Sequence, residues 1–284
     1  MKKKHVLLLT ISALSLTGCG FPVDNETALQ RLDEIEKHEF KDEEVKALTI
    51  KQKYESYTEE IFNDLNSKSI NSYNANIEGK INYKKYFLYM HLDAEGINKT
   101  TGEESKYTIE FDIWYYLKDN KFYMPFRYNQ NGSVSMLYTV DENVEDAKKN
   151  FNDATTSTFK SIVDIAYNES ALADVKSLFE NHEEDGITST SKSFSFKEGS
   201  LTVIGNKTYK DHFDDDYLVS GSEAIYSRWN NYVLVKNKFS SELKGKRIHY
   251  DREKTEKITK DSSVQFYAKV SYPDISDYKF SGSN

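Results

Sequence analysis

A single cysteine, Cys19, stands in the whole chain, directly after Leu16-Thr17-Gly18. Its thiol can be alkylated, and with no second cysteine an intramolecular disulfide is excluded. The other groups able to do chemistry are dispersed. His38, His91, His182 and His249 show no ligand spacing such as His-x-x-x-His, so no metal site is expected from them. The alternation around His91, with Asp93 and Glu95, turns it toward solvent. The run Asp211-His212-Phe213-Asp214-Asp215-Asp216 offers hard oxygen ligands for a divalent cation. It lacks the spacing and central glycine of an EF-hand, and a solvated turn between strands is the plainer reading. Glu78, Glu110 and Asp112 are carboxylates of the kind that pair in glycoside hydrolysis, yet they occupy the polar positions of alternating strands, where solvated carboxylates are expected. Trp114 and Trp229 carry rings that stack on sugars or pack under a helix. No Gly-x-Ser-x-Gly elbow and no Gly-rich phosphate loop is present. These residues point to no catalysis, no cofactor and no metal.

Cys19 has a context that the others lack. Lys2, Lys3 and Lys4 precede an apolar stretch from Val6 to Leu16, too short to span a bilayer comfortably and placed at the very start. Leu16-Thr17-Gly18-Cys19 then resembles the lipobox of bacterial lipoprotein signal peptides. An ordinary signal peptide with an incidental cysteine is the alternative. The resemblance implies that Cys19 is the lipidation site, that its thiol receives a diacylglyceryl group and that a peptidase cuts before it. Fatty acyl chains such as palmitate would then hold the protein to the extracytoplasmic face of the cell membrane. The expected organisation is a signal peptide over 1–18, a short lipidated tether over 19–26 and one domain over 27–284. Gly20 to Glu26 reaches roughly 23 Å when extended.

Removing residues 1–18 takes three of the 38 Lys and Arg and none of the 46 Asp and Glu, which leaves a formal charge of −11. That balance argues against nucleic acid as a partner, since phosphate contacts need Lys and Arg. It also argues against lying flat on anionic headgroups. No second apolar run approaches the roughly 20 residues of a membrane span, so the lipid is the evident anchor, and two acyl chains suffice at about 0.8 kcal/mol per buried methylene.

The elements follow from periodicity. Thr27 is a plausible cap for a helix with Ala28, Leu29, Leu32 and Ile35 on one face. Leu48 to Tyr54 alternates as a strand, although Tyr54, Tyr57, Ile61, Phe62 and Leu65 also fit a helical stripe. Tyr73 to Tyr83, Tyr86 to Ala94 and Tyr107 to Leu117 alternate cleanly. Turns are expected at Tyr83-Lys84, Thr101-Gly102, Asp119-Asn120 and Asn131-Gly132. The 21 Tyr and 16 Phe against 3 Pro favour long strands. Thr139-Val140-Asp141-Glu142 reads as a capping box, opening two or three helices between Asp141 and His182. A second meander follows, with hairpins at Lys197-Glu198-Gly199-Ser200 and Trp229-Asn230-Asn231-Tyr232 and a last strand over Val264 to Tyr272.

That order of helix, meander, helices and meander resembles the lipoprotein-carrier fold of LolA and LolB, shared by lipid-binding lipoproteins of the LppX type. The resemblance is architectural, over residues 27 to 272. It implies an α+β fold, a strongly curved antiparallel half-barrel sheet of about eleven strands covered by helices, with an apolar cavity between them. Leu88, Met90, Leu92, Ile109, Phe111 and Ile113 are the candidate ligand-binding residues. The expected function is a non-enzymatic, membrane-anchored protein that binds or carries a hydrophobic, lipid-like ligand. The alternative is a cell-surface interaction or structural lipoprotein with a filled core and no ligand.

Overall fold

The computed structural model describes residues 20–38, 47–157, 169–180, 187–214, 217–247, 251–266 and 268–281. The chain begins with β1 (Phe21–Pro22) and α1 (Asn25–Glu36). A meander follows, made of β2 (Ala47–Phe62), β3 (Ser67–Asn82), β4 (Phe87–Thr100), β5 (Glu103–Lys118), β6 (Lys121–Gln130) and β7 (Ser133–Asp141). Next come α2 (Val144–Ser157) and α3 (Glu169–Lys176). The second meander is β8 (Ile187–Lys197), β9 (Ser200–Asp214), β10 (Tyr217–Asn230), β11 (Val233–Arg247) and β12 (Arg252–Gln265), and the short β13 (Lys279–Phe280) ends the described chain.

All thirteen strands belong to one sheet, in the order β1-β8-β9-β10-β11-β12-β2-β3-β4-β5-β6-β7-β13. The two meanders join where β12 pairs antiparallel with β2, from Arg252↔Phe62 to Gln265↔Thr49. The expected α+β half-barrel of about eleven strands under a helical cover is therefore overturned. Strands carry the architecture, and the described helices are only 12, 14 and 8 residues long. Two physical causes account for the difference. The Tyr54–Phe62 stretch that also fits a helical stripe continues β2, because β3 and β12 on either side satisfy its backbone. Both chain ends also add strands: Phe21 and Pro22 pair with Phe196 and Ser195, while Lys279 and Phe280 pair parallel with Leu137 and Tyr138.

The turns obey their local chemistry. Asp119 and Asn120 both adopt positive φ (50° and 55°), as do Asn131 and Gly132 (52° and 86°), the geometry of tight hairpins. β2 and β3 are joined through a 3₁₀ turn at Asn63–Leu65, closed by Asn66 at φ 47°. Two helix starts differ from expectation. Asp24, not Thr27, caps α1, its carboxylate accepting from the Thr27 N–H at 2.8 Å. β7 runs on through Asp141 because it pairs with Phe122, so Asn143 stands before α2, and its side chain donates to Asp146 at 2.5 Å.

Two apolar cores lie on one face of the sheet. Ala28, Leu32 and Ile35 of α1 and Ala171, Leu172 and Val175 of α3 pack on Leu201, Val203, Ile225 and Trp229. Ala147 and Phe151 of α2 pack on Leu48, Ile50, Ile81, Leu88 and Phe122. Each fully buried leucine here contributes roughly 1.5–3 kcal/mol. Both cores sit toward the end of the strands that carries the turns at 83–86, 119–120, 198–199 and 231–232. No helix among the described residues is long and apolar enough to cross a membrane.

Candidate functional site

The register aligns one row of side chains across the sheet, starting at Val203 in one core and running past the other, on the face that bears the helices. Val203 pairs with Ser227, Ser227 with Asn237, Asn237 with Ser262 and Ser262 with Gln52. Gln52 then pairs with Ile77, Ile77 with Leu92, Leu92 with Phe111 and Phe111 with Tyr128. The row divides at Gln52 and Ile77. From β3 to β6 it is apolar, and from β10 to β12 it is hydroxyl and amide.

All six sequence-predicted ligand residues lie on the apolar side of this face. Met90 pairs with Ile113, Leu92 with Phe111, Leu88 with Tyr115, and Ile109 with Ala94. Leu88 is 3% exposed and belongs to the core beneath α2. It is therefore packing rather than open surface. Met90, Leu92, Ile109, Phe111 and Ile113 are half-buried, Met90 and Ile113 packing against that same core, so the accessible apolar area of the face centres on Leu92, Ile109 and Phe111. Phe126 and Tyr128 of β6 extend it, with the Phe111 and Phe126 rings 5.1 Å apart edge to face and the Phe126 and Tyr128 rings stacked at 6.3 Å. Sequence reading missed these two because Pro125 and Arg127 interrupt the pattern of β6; their only signal was the i, i+2 spacing of two aromatic rings.

The polar side is buried and internally satisfied. Ser227 donates to Asn237 Oδ1 at 2.8 Å, and both residues are buried, as are Ser241 and Ser262. Two steps along β9 from Val203, Lys207 is buried and donates to Ser177 Oγ at 2.6 Å. Tyr209 donates to Glu223 at 2.7 Å, and burial, then that bond, pushes its phenol far up. Burial also raises the Asp174 carboxyl.

The opposite face of β4 to β6 holds an ion network that corrects two sequence expectations. Asp112 is not a solvated carboxylate: it is 7% exposed. Its Oδ1 accepts from the Tyr89 hydroxyl at 3.0 Å and lies 2.9 Å from His91 Nδ1, while Oδ2 accepts from Arg127 at 3.2 Å. His91, expected to face solvent, is partly buried against this carboxylate. Arg127 also donates to Glu110 at 2.6 Å, and that bond holds the Glu110 carboxyl below its usual range against opposing desolvation. Burial, then the Asp112 charge, pushes the Tyr89 phenol far up. Trp114 packs on Tyr89 at 5.0 Å on this face, whereas Trp229 is 2% exposed in the core of the helix-bearing face. The two tryptophans stand on β5 and β10, which are not neighbours, and form no sugar platform.

Beyond β12 the chain crosses this outer face. Tyr272 meets Tyr116 at 4.8 Å and Phe87 at 6.1 Å, Tyr278 is buried, and Ser281 N–H donates to the Tyr138 carbonyl at 2.8 Å. Burial pushes the Tyr116 phenol up to about 12. The expected last strand, Val264 to Tyr272, thus stops at Gln265, and the rest becomes a strap.

Among the described residues no group of three or more His, Cys, Asp or Glu could hold a metal ion. Asp211 lies within β9, where the pairing with β10 shifts register, at φ 53°, its N–H donating to Ser220 Oγ at 3.1 Å. Cys19, His182, Asp215, Asp216 and His249 lie outside the described residues.

No family model and no curated protein matches the chain. Among solved structures, it is similar to the translocator domain of the autotransporter NalP from Neisseria meningitidis, over 84% of this chain and 95% of that one. The identity is 7% and the TM-score 0.20, values at which the likeness carries no argument about function.

Proposed function

We propose that this chain is a non-enzymatic lipoprotein, held to the extracytoplasmic face of a bacterial membrane through acyl chains on Cys19, that binds a hydrophobic, lipid-like ligand. The anchor rests on Lys2-Lys3-Lys4, the apolar Val6–Leu16 stretch and Leu16-Thr17-Gly18-Cys19. The ligand reading is carried by one observation: Met90, Leu92, Ile109, Phe111 and Ile113 share one face and remain half-buried. Apolar area retained beside a well-packed core is the surface that an acyl chain covers.

The test is saturable binding of a fluorescent fatty acid to the chain starting at Gly20. Met90→Trp and Ile109→Trp place an indole where the acyl chain would lie, so both should abolish binding while circular dichroism and unfolding midpoint stay near wild type. If these residues instead fill a closed core, the insertions overpack it and cost about 1–3 kcal/mol. Absence of probe binding by the wild-type chain, together with that loss of stability, would replace the ligand reading with a surface interaction protein.

A further inference from the structure

We infer that the protein stands end-on at the membrane, with the turns at 83–86, 119–120, 198–199 and 231–232 facing the bilayer and the turns at 63–66, 101–102 and 131–132 pointing away. The inference rests on Cys19 being the lipid anchor. It is drawn from where the chain leaves the sheet. Phe21 pairs with Phe196 and Pro22 with Ser195, antiparallel, so the chain runs backward from Phe21 toward the β8–β9 turn. The Val23 N–H donates to the Phe194 carbonyl at 3.2 Å, and Asp24 caps α1, whose buried face joins the core. Gly20 is seated as well: a Cβ on it would meet Ser195 Cβ at 3.0 Å. The spacer between the lipidated residue and the sheet is thus one residue, not the seven that the tether suggests. One residue spans about 3.3 Å. The lipid therefore holds this end of the sheet at the bilayer surface.

The surface presented there fits the partner. Phe21 is 77% exposed and Phe266 47% exposed, two rings able to enter the headgroup layer. Lys84, Lys85, Lys118 and Lys197 are exposed at the same end, beside Asp119, Asp141, Glu142 and Glu198. Cations at a surface of anionic lipid are favourable, and an end-on stance keeps the acidic flanks of the strands off the headgroups. The sixteen residues of β2 and of β5 span about 53 Å, so the distal turns stand about that far from the bilayer unless the strands tilt.

The test uses the full-length lipidated chain reconstituted in phosphatidylglycerol-containing vesicles. Because Cys19 is the only cysteine and its thiol is consumed by lipid, one cysteine introduced elsewhere takes a fluorophore selectively. Lys197→Cys and Lys84→Cys report the proximal end, and Glu103→Cys and Ser133→Cys the distal end. A nitroxide on the lipid headgroup should quench the two proximal labels strongly and leave the distal pair at the intensity seen without nitroxide. Equal quenching at all four positions, or stronger quenching at Glu103→Cys, overturns the stance while leaving the anchor intact. A chain that does not float with the vesicles and carries no labelled palmitate overturns the anchor, and the stance with it.

Discussion

Gly205 of β9 sits where the chain turning out of α3 presses a side chain onto bare backbone. Leu178 is 1% exposed, and a Cβ built on Gly205 would lie 2.3 Å from its Cδ1, 2.8 Å from Cδ2 and 3.1 Å from Cγ. Real Cβ contacts do not come that close, so Gly205→Ala must displace Leu178 from a pocket shared with Phe194, Val203 and Ile225. Overpacking of this kind costs about 1–3 kcal/mol. The reciprocal change, Leu178→Ala, removes three buried carbons and leaves a void, at about 2–5 kcal/mol. In the double variant the new methyl at 205 enters the space that Leu178 has vacated, so the two costs should not add. The expected coupling is at least about 1 kcal/mol in favour of the double variant, within the range measured for side chains in direct contact. The assay is urea unfolding of the four proteins of the cycle, followed by far-ultraviolet circular dichroism and by fluorescence of the nearby Trp229. Additivity within about 0.3 kcal/mol would mean that Leu178 does not pack on Gly205, and would refute the docking of this segment on β9.

Asp112→Asn should cost about 1–3 kcal/mol in denaturant unfolding, because it strips Tyr89, His91 and Arg127 of a shared buried carboxylate. Tyr89→Phe, which deletes one of those bonds, should cost less; the reverse order would contradict the network. Arg127 holds the Glu110 carboxyl below its usual value, so the stability tied to it is complete above about pH 4.3 and is lost as pH falls toward the folded-state value. Arg127→Gln should therefore shallow the acid limb of a stability–pH profile, and an unchanged limb would count against the pair. Cys19→Ser should leave the precursor uncut and free of labelled palmitate, and continued labelling would end the lipobox reading.

Local alternation made the strands legible. Tyr73 to Tyr83, Tyr86 to Ala94 and Tyr107 to Leu117 fall on β3, β4 and β5, except that Tyr83 and Tyr86 belong to the 3₁₀ turn between β3 and β4, and the expected turns at Asp119-Asn120 and Asn131-Gly132 are there. The candidate ligand residues also fell together, since a strand's two-residue period alone puts Leu88, Met90 and Leu92 on one face. Register was not legible, and the missed chemistry depends on it. His91 and Asp112 meet because β4 and β5 pair about the turn at 101–102, and Arg127 joins them only because β5 and β6 pair about 119–120. A one-residue shift at 101–102 would part His91 from Asp112, and one at 119–120 would part Arg127 from it. For the same reason the division of the central row into apolar and polar halves spans eight strand pairings and leaves no trace in any one strand.

The proportions of the elements explain why the resemblance to a helix-covered half-barrel failed and why the apolar face still matters. A helix of fourteen residues such as α2 is about 21 Å long, while a sixteen-residue strand such as β5 is about 53 Å. Even laid along the strands, α2 covers less than half of one. Phe151 spends that cover on Tyr83, Tyr86, Tyr115 and Phe122 near the 83–86 and 119–120 turns. Leu92, Ile109 and Phe111 lie farther along the same strands, so α2 seals the core without sealing them. An acyl chain of some 20 Å laid along β4 and β5 would cover about six residues of each strand, the stretch from Met90 to Glu95. The apolar positions within that span are those that Met90→Trp and Ile109→Trp are designed to block.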